Sequence, residues 1–208
     1  MTEAEIAKER ERLADLALEI AARRGEETTR AALVSETRLT RARIETIFPD
    51  EEDLFDATVE RWFDPEIAMM EDVLASDLPV NRKFYEFIAR RFVRRREEYA
   101  RDPGLYRMLC ELGAARYERV RSFVDLADHY LCEIIAQAQA DGHFAGLEIE
   151  DARSLISQMV SCYTMPDMVP LLEDRLTEDK LGSIVDTLFA GLSAQNGGAR
   201  GTRDLRAA

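Results

Sequence analysis

Apolar residues recur along most of this chain at spacings of three and four, the period of a helix with one buried face. Leu13, Leu16, Ala17, Ile20 and Ala21 keep that spacing and predict a first helix from about residue 3 to 24, closed by Gly25. Two short apolar groups follow, Ala31-Ala32-Leu33-Val34 and then Ile44 with Ile47, divided by a turn at Thr37-Arg38-Leu39. Thr28-Thr29 and Thr40 stand at the two helix starts, where a hydroxyl accepts from the unpaired backbone N–H groups. Asp50 caps a longer helix whose first turn, Glu51-Glu52-Asp53, suits the positive end of the helix dipole. Leu54, Phe55, Val59, Trp62 and Phe63 continue it; Pro65 kinks or breaks it near Asp64, and Ile67, Met70 and Leu74 carry it to Ala75.

After a linker at Ser76-Asp77-Leu78-Pro79, the pattern predicts helices over about 81–100, 103–115, 116–141, 148–165 and 178–193. Asp102-Pro103 begins the second of these and Asp141-Gly142 ends the third. There is no strand pattern and no internal repeat, so the expected fold is all-α. Residues 195–208 carry no apolar pattern and read as a disordered tail.

Residues 28–54 are the one stretch that points to a particular chemistry. Two short helices joined by a tight turn, with threonine at both N-caps and arginines on the second, are the parts of a helix-turn-helix DNA reader. The whole surface is not suited to nucleic acid: the formal charge is −13 and the pI about 4.7, whereas phosphate affinity comes from clustered Lys and Arg. Any DNA site is therefore a local patch. Between residues 28 and 47, Arg30, Arg38, Arg41 and Arg43 face Glu36 and Glu45.

Other classes find little support. The N-terminus MTEAEIAKERER is charged, unlike a signal peptide. The most apolar late stretch, Leu155 to Leu172, is interrupted by Ser157, Gln158, Ser161, Pro166, Asp167 and Pro170, and reads as a buried helix rather than a membrane span. Cys110, Cys132 and Cys162 are far apart among apolar residues and read as reduced core thiols of a cytoplasmic protein. His129 and His143 lack metal-ligand spacing, and no nucleophile elbow, phosphate loop or zinc motif is present. Neither cofactor, metal nor catalysis is expected.

With these elements laid out, the chain resembles the tetracycline-repressor (TetR) family of regulators. The family's N-terminal pattern runs Thr-Thr, Ile-Ala, Ala-Gly-Val-Ser, Gly-Thr-Leu-Tyr, His-Phe and Ser-Lys-Glu. Here Thr28-Thr29 stand at the threonines, Leu33-Val34 at Ile-Ala, and Thr37-Arg38-Leu39-Thr40 at Ala-Gly-Val-Ser. Ala42-Arg43-Ile44-Glu45 stand at Gly-Thr-Leu-Tyr, Ile47-Phe48 at His-Phe, and Asp50-Glu51-Glu52 at Ser-Lys-Glu, with no insertion from Gly25 to Leu54. The resemblance implies a homodimer in which residues 1–50 read a palindromic operator in double-stranded DNA. Residues 51–194 would take a small-molecule effector and dimerise through the helices near 148–165 and 178–193. DNA contacts would fall on Thr29, Arg30, Thr40, Arg41, Arg43 and Thr46.

The match lies in spacing more than in residue identity, and three of the departures bear on the turn and on phosphate contact. Arg38 replaces the turn glycine, so it either adopts a left-handed backbone or the turn is reshaped. Glu45 and Glu51 replace a tyrosine and a lysine that face phosphate in the family. DNA binding is then weaker or more salt-sensitive than in the family, or lost, leaving a helical sensor or interaction protein of the same fold.

Within the larger region, Phe84, Ile88, Arg91, Phe92, Arg95 and Tyr99 share one stripe. Arg91 or Arg95 either meets an anionic ligand, or pairs with Glu111 or Glu118, or reaches water along its stem. Tyr106, Tyr117, Tyr130, Met159 and Tyr163 either line an apolar pocket or belong to the core.

Overall fold

The first helix is specified at both ends. Thr2 and Glu5 exchange a reciprocal pair of bonds, the Thr2 N–H to Glu5 Oε2 at 2.8 Å and the Glu5 N–H to Thr2 Oγ1 at 3.3 Å. Gly25 ends it with φ 67°, a left-handed conformation that glycine adopts without strain. In the computed structural model, which describes residues 2–172 and 174–193, this is α1, Glu3–Arg24. The tail expected to be disordered lies outside the described residues.

Among the described residues ten more helices follow: α2 Arg30–Glu36, α3 Arg41–Ile47, α4 Glu51–Ala75, α5 Val80–Arg101, α6 Pro103–Ala115, α7 Tyr117–Ala140, α8 Ile149–Met159, α9 Ser161–Thr164, α10 Met168–Leu172 and α11 Glu178–Ser193. No strand occurs among the described residues, and the fold is all-α.

α4 runs through Pro65 without a break and ends at Ala75 as expected, which removes one of the two alternatives there. The helix expected over 148–165 is divided at Val160, which leaves helical geometry at φ −101°, ψ 7°. Ala152, Ile156, Val160 and Tyr163 are all buried, so the helical period survives the break and hides it from a periodicity argument. The second piece stops at Met165, extended at ψ 124°, because Pro166 disfavours a helical residue before it.

The chain forms two compact units. One takes the residues up to Ala68 together with Glu97–Val124; the other takes Met69–Arg96 and the described residues from Asp125 onward. In the first unit, Leu13, Ala17 and Ile20 of α1 pack with Leu33 of α2, Ile44 and Ile47 of α3, Phe48, and Leu54 and Ala57 of α4. This core runs past residue 50 into α4. A second cluster joins Phe55 and Val59 to Val120, with Phe63 stacked on Phe123 at 4.7 Å.

In the second unit, the α5 stripe turns its apolar members inward, with Phe84, Ile88 and Phe92 at 1% exposure or less. Phe92 meets Tyr163 edge-on at 5.1 Å, and Phe84 meets Phe189 at 5.6 Å. Buried Lys83 is satisfied by the Leu74 carbonyl at 2.9 Å and Gln137 Oε1 at 2.8 Å. After α7, Gly142 (φ 87°) and Phe144 (φ 54°) turn the chain, and burial of the Phe144 ring holds that strained backbone in place. Cys162 is exposed, which corrects its expected place in the core; Cys110 and Cys132 are half-buried.

Candidate nucleic-acid interface

The two short helices owe their ends to threonines. Thr29 caps α2 by accepting from the Ala32 N–H at 3.2 Å, and Thr40 caps α3 by accepting from the Arg43 N–H at 3.3 Å. The turn between them is built without a left-handed residue. Phe144 is the single non-glycine residue with positive φ among the described residues, so Arg38 is not left-handed. Thr37 does the work. Its backbone is extended (φ −120°, ψ 173°), its hydroxyl donates to the Leu33 carbonyl at 2.8 Å, and the same oxygen accepts from the Leu39 N–H at 3.3 Å. A side-chain bridge of this kind replaces the glycine turn.

Arg10 of α1 sets the position of α3 against α4. Its guanidinium donates to both oxygens of Asp53 at 2.6 and 2.7 Å and to the Ile47 and Asp53 carbonyls at 3.1 and 3.2 Å. It also lies over the Phe48 ring at 4.9 Å. Sequence reasoning missed this clasp, because Arg10 sits in the charged run KERER that reads as a solvated face.

The outer face of α3 is defined by what it buries. Ile44 and Ile47 are 0% and 3% exposed; at about 100° per residue, Ala42, Glu45 and Thr46 lie opposite them, with Arg41 at the edge. Exposure agrees: Arg41, Ala42, Glu45 and Thr46 are exposed and Arg43 is half-buried. Thr46 donates back to the Ala42 carbonyl at 2.9 Å.

The arginines expected to meet DNA have intramolecular partners. Arg41 Nε donates to Glu45 Oε1 at 2.8 Å, an i, i+4 pair in which Glu45 raises the Arg41 pKa. Arg30 is held harder. Its N–H and Nε donate to the Glu51 carboxylate at 2.9 and 3.2 Å, and Nη1 donates to the Phe48 and Pro49 carbonyls at 3.2 and 2.6 Å. Both ion pairs line one shallow groove of about 260 Å³. Arg43 faces the other way, lining a hollow with Glu5, Lys8, Glu9 and Arg12 of α1, where its charge helps to lower the pKa of Glu9 after the larger effect of the Arg12 hydrogen bond.

The candidate ligand residues stand in varied surroundings. In the first unit, Tyr106 is buried edge-on to Tyr99 at 5.7 Å, and Tyr117 is exposed. In the second, Arg95 is buried and donates to the Thr164 carbonyl at the end of α9, while Arg91 lies over the Phe87 ring at 5.3 Å. Tyr163 is buried and donates to the Thr177 carbonyl at 3.1 Å, and burial raises its pKa. Tyr130 donates to Glu71 at 2.8 Å, which raises its pKa, and Met159 is 53% exposed. Tyr163 is thus a member of α9, whose last carbonyl Arg95 engages, whereas Met159 is exposed.

The family model of the tetracyclin repressor-like C-terminal domain matches residues 80–185. No curated protein matches the chain.

Proposed function

Because the chain belongs to the tetracyclin repressor-like family, we propose that it is a DNA-binding transcriptional regulator, a ligand-responsive repressor that acts as a cytoplasmic homodimer. Residues 1–50 read each half of a palindromic operator through α3, and residues 51–194 take a small effector and form the dimer. The observation that carries this reading is the pair of threonine-capped helices, with Ala42, Glu45, Thr46 and Arg41 turned out from the core. A capped helix with one anchored face and one exposed face fits a major groove. Thr29 and Thr40 lie where a cap also meets a phosphate.

The dimer is assigned to α8 and α11. Leu155 and Met159, one turn apart on α8, are 43% and 53% exposed. Solvated apolar groups at helical spacing favour a partner helix. Effector binding would favour a subunit spacing that no longer fits two successive major grooves, since dimer geometry sets half-site distance. No helix among the described residues is long and apolar enough to cross a membrane.

A second reading has its own observation. Glu45 and Glu51 engage Arg41 and Arg30 in place of phosphate, which suits a sensor or interaction protein of the same fold with weakened or lost DNA binding. Binding to fragments of the protein's own upstream region, at about 50 and 200 mM salt, separates the two. Specific binding that weakens steeply with salt supports the regulator. Absence of binding at either salt supports the second reading.

A further inference from the structure

Glu45 puts a carboxylate where the family resemblance implies a phosphate contact. Its placement gives it another use. It lies on the exposed face of α3, with its side chain 44% exposed, one turn from Arg41, which is 85% exposed. Their single bond runs from Arg41 Nε to Glu45 Oε1. Among the described residues no other hydrogen bond engages either side chain, so both terminal amino groups of Arg41 and the second oxygen of Glu45 are left to bond a ligand on this exposed face.

That is a matched set of donors and an acceptor on one helix face. The major groove offers few groups a carboxylate could accept from: the N4 amino group of cytosine and the N6 amino group of adenine. Adenine N6 stands beside N7, an acceptor that repels a carboxylate. Cytosine N4 stands beside O6 of its paired guanine, and that oxygen, with guanine N7, takes the two amino groups of an arginine. Four residues of helix span about 6 Å, which keeps both side chains within one base pair or its neighbour.

We propose that Glu45 is a base-reading residue: it accepts from a cytosine N4 amino group while holding Arg41 in place to donate to a guanine in the same or the next base pair. The proposal rests on the DNA-binding reading above and adds to it an operator half-site with a required G·C position. It also moves base reading from Arg43, which faces α1, to the Arg41–Glu45 pair.

The test is selection of bound duplexes from a randomised pool by the natural protein, Glu45→Gln and Glu45→Ala. The natural protein should enrich cytosine at one fixed position of each half-site, by about tenfold over other bases. Glu45→Gln should exchange that preference for adenine, whose N6 and N7 suit an amide. Glu45→Ala should accept any base there. If Glu45→Ala instead binds all duplexes more tightly with the same base preferences, Glu45 only repels phosphate and the proposal is overturned. If none of the three proteins enriches any sequence, the DNA-binding reading itself fails, and this proposal with it.

Discussion

Arg30 and Glu51 show how one ion pair reshapes a surface. In a patch on a body of charge −13, each guanidinium tied to a carboxylate is withheld from phosphate. Glu51→Lys should release Arg30 and add a second cation, steepening the dependence of log K on log salt by about 0.9 for each new phosphate contact. Titration of a fixed duplex at several salt concentrations measures it, and an unchanged slope would show that Arg30 stays bound to the Phe48 and Pro49 carbonyls. Arg10 belongs to the opposite class, a partly buried cation whose partners are a bidentate carboxylate and two carbonyls. Arg10→Ala should lower stability by about 2 kcal/mol, read from urea midpoints at constant slope. Glu9 and Glu36 carry lowered pKa values, set chiefly by hydrogen bonds from Arg12 and from Arg23 and Arg24. Their stabilising effect is therefore present above the ordinary carboxylate pKa and fades as pH falls through the lowered one. Urea unfolding at about pH 5 and pH 3 should show lower stability at the acid end, with a smaller drop in Glu9→Gln.

At the scale of elements, the turn between α2 and α3 makes a direct prediction. Since Thr37 shapes it, Thr37→Val should cost about 1 kcal/mol through two lost hydrogen bonds. Arg38→Gly, which restores the family's glycine, should bring no gain and should cost up to about 1 kcal/mol in chain entropy. A rise in melting temperature for Arg38→Gly would refute this account of the turn. The same turn shows where sequence reading succeeds and where it stops. Threonine caps, the Gly25 stop and the one-sided stripes of α1, α5 and α7 depend on neighbours within about a turn of helix, so the pattern reveals them. The interruption at Val160 leaves the burial period intact, so it does not show in the pattern, and the apolar spacing around Pro65 suits a kinked helix and a broken one alike. The direction of Arg43 and the Arg10 clasp depend on partners brought together from distant parts of the chain, about which local spacing is silent. The candidate pocket residues were legible only as apolar and aromatic, a property that core and pocket share.

For the whole molecule, the second unit presents Leu155 and Met159 to solvent on α8, and Met165 and Leu171 are also 49% and 71% exposed. Replacing both Leu155 and Met159 with glutamate should abolish self-association in sedimentation or gel filtration while leaving the helical circular dichroism unchanged. A monomeric natural protein at micromolar concentration would remove the dimer from the proposal. The paired arginines beside α3 have a consequence at a larger scale still. A chromosome offers a DNA-binding protein millions of unintended sites, each held mainly through phosphate. With Arg30 engaged at home and the Arg41 charge offset by Glu45, a regulator of this design would be sequestered little by bulk DNA. Few copies per cell would then be needed to keep one true site occupied.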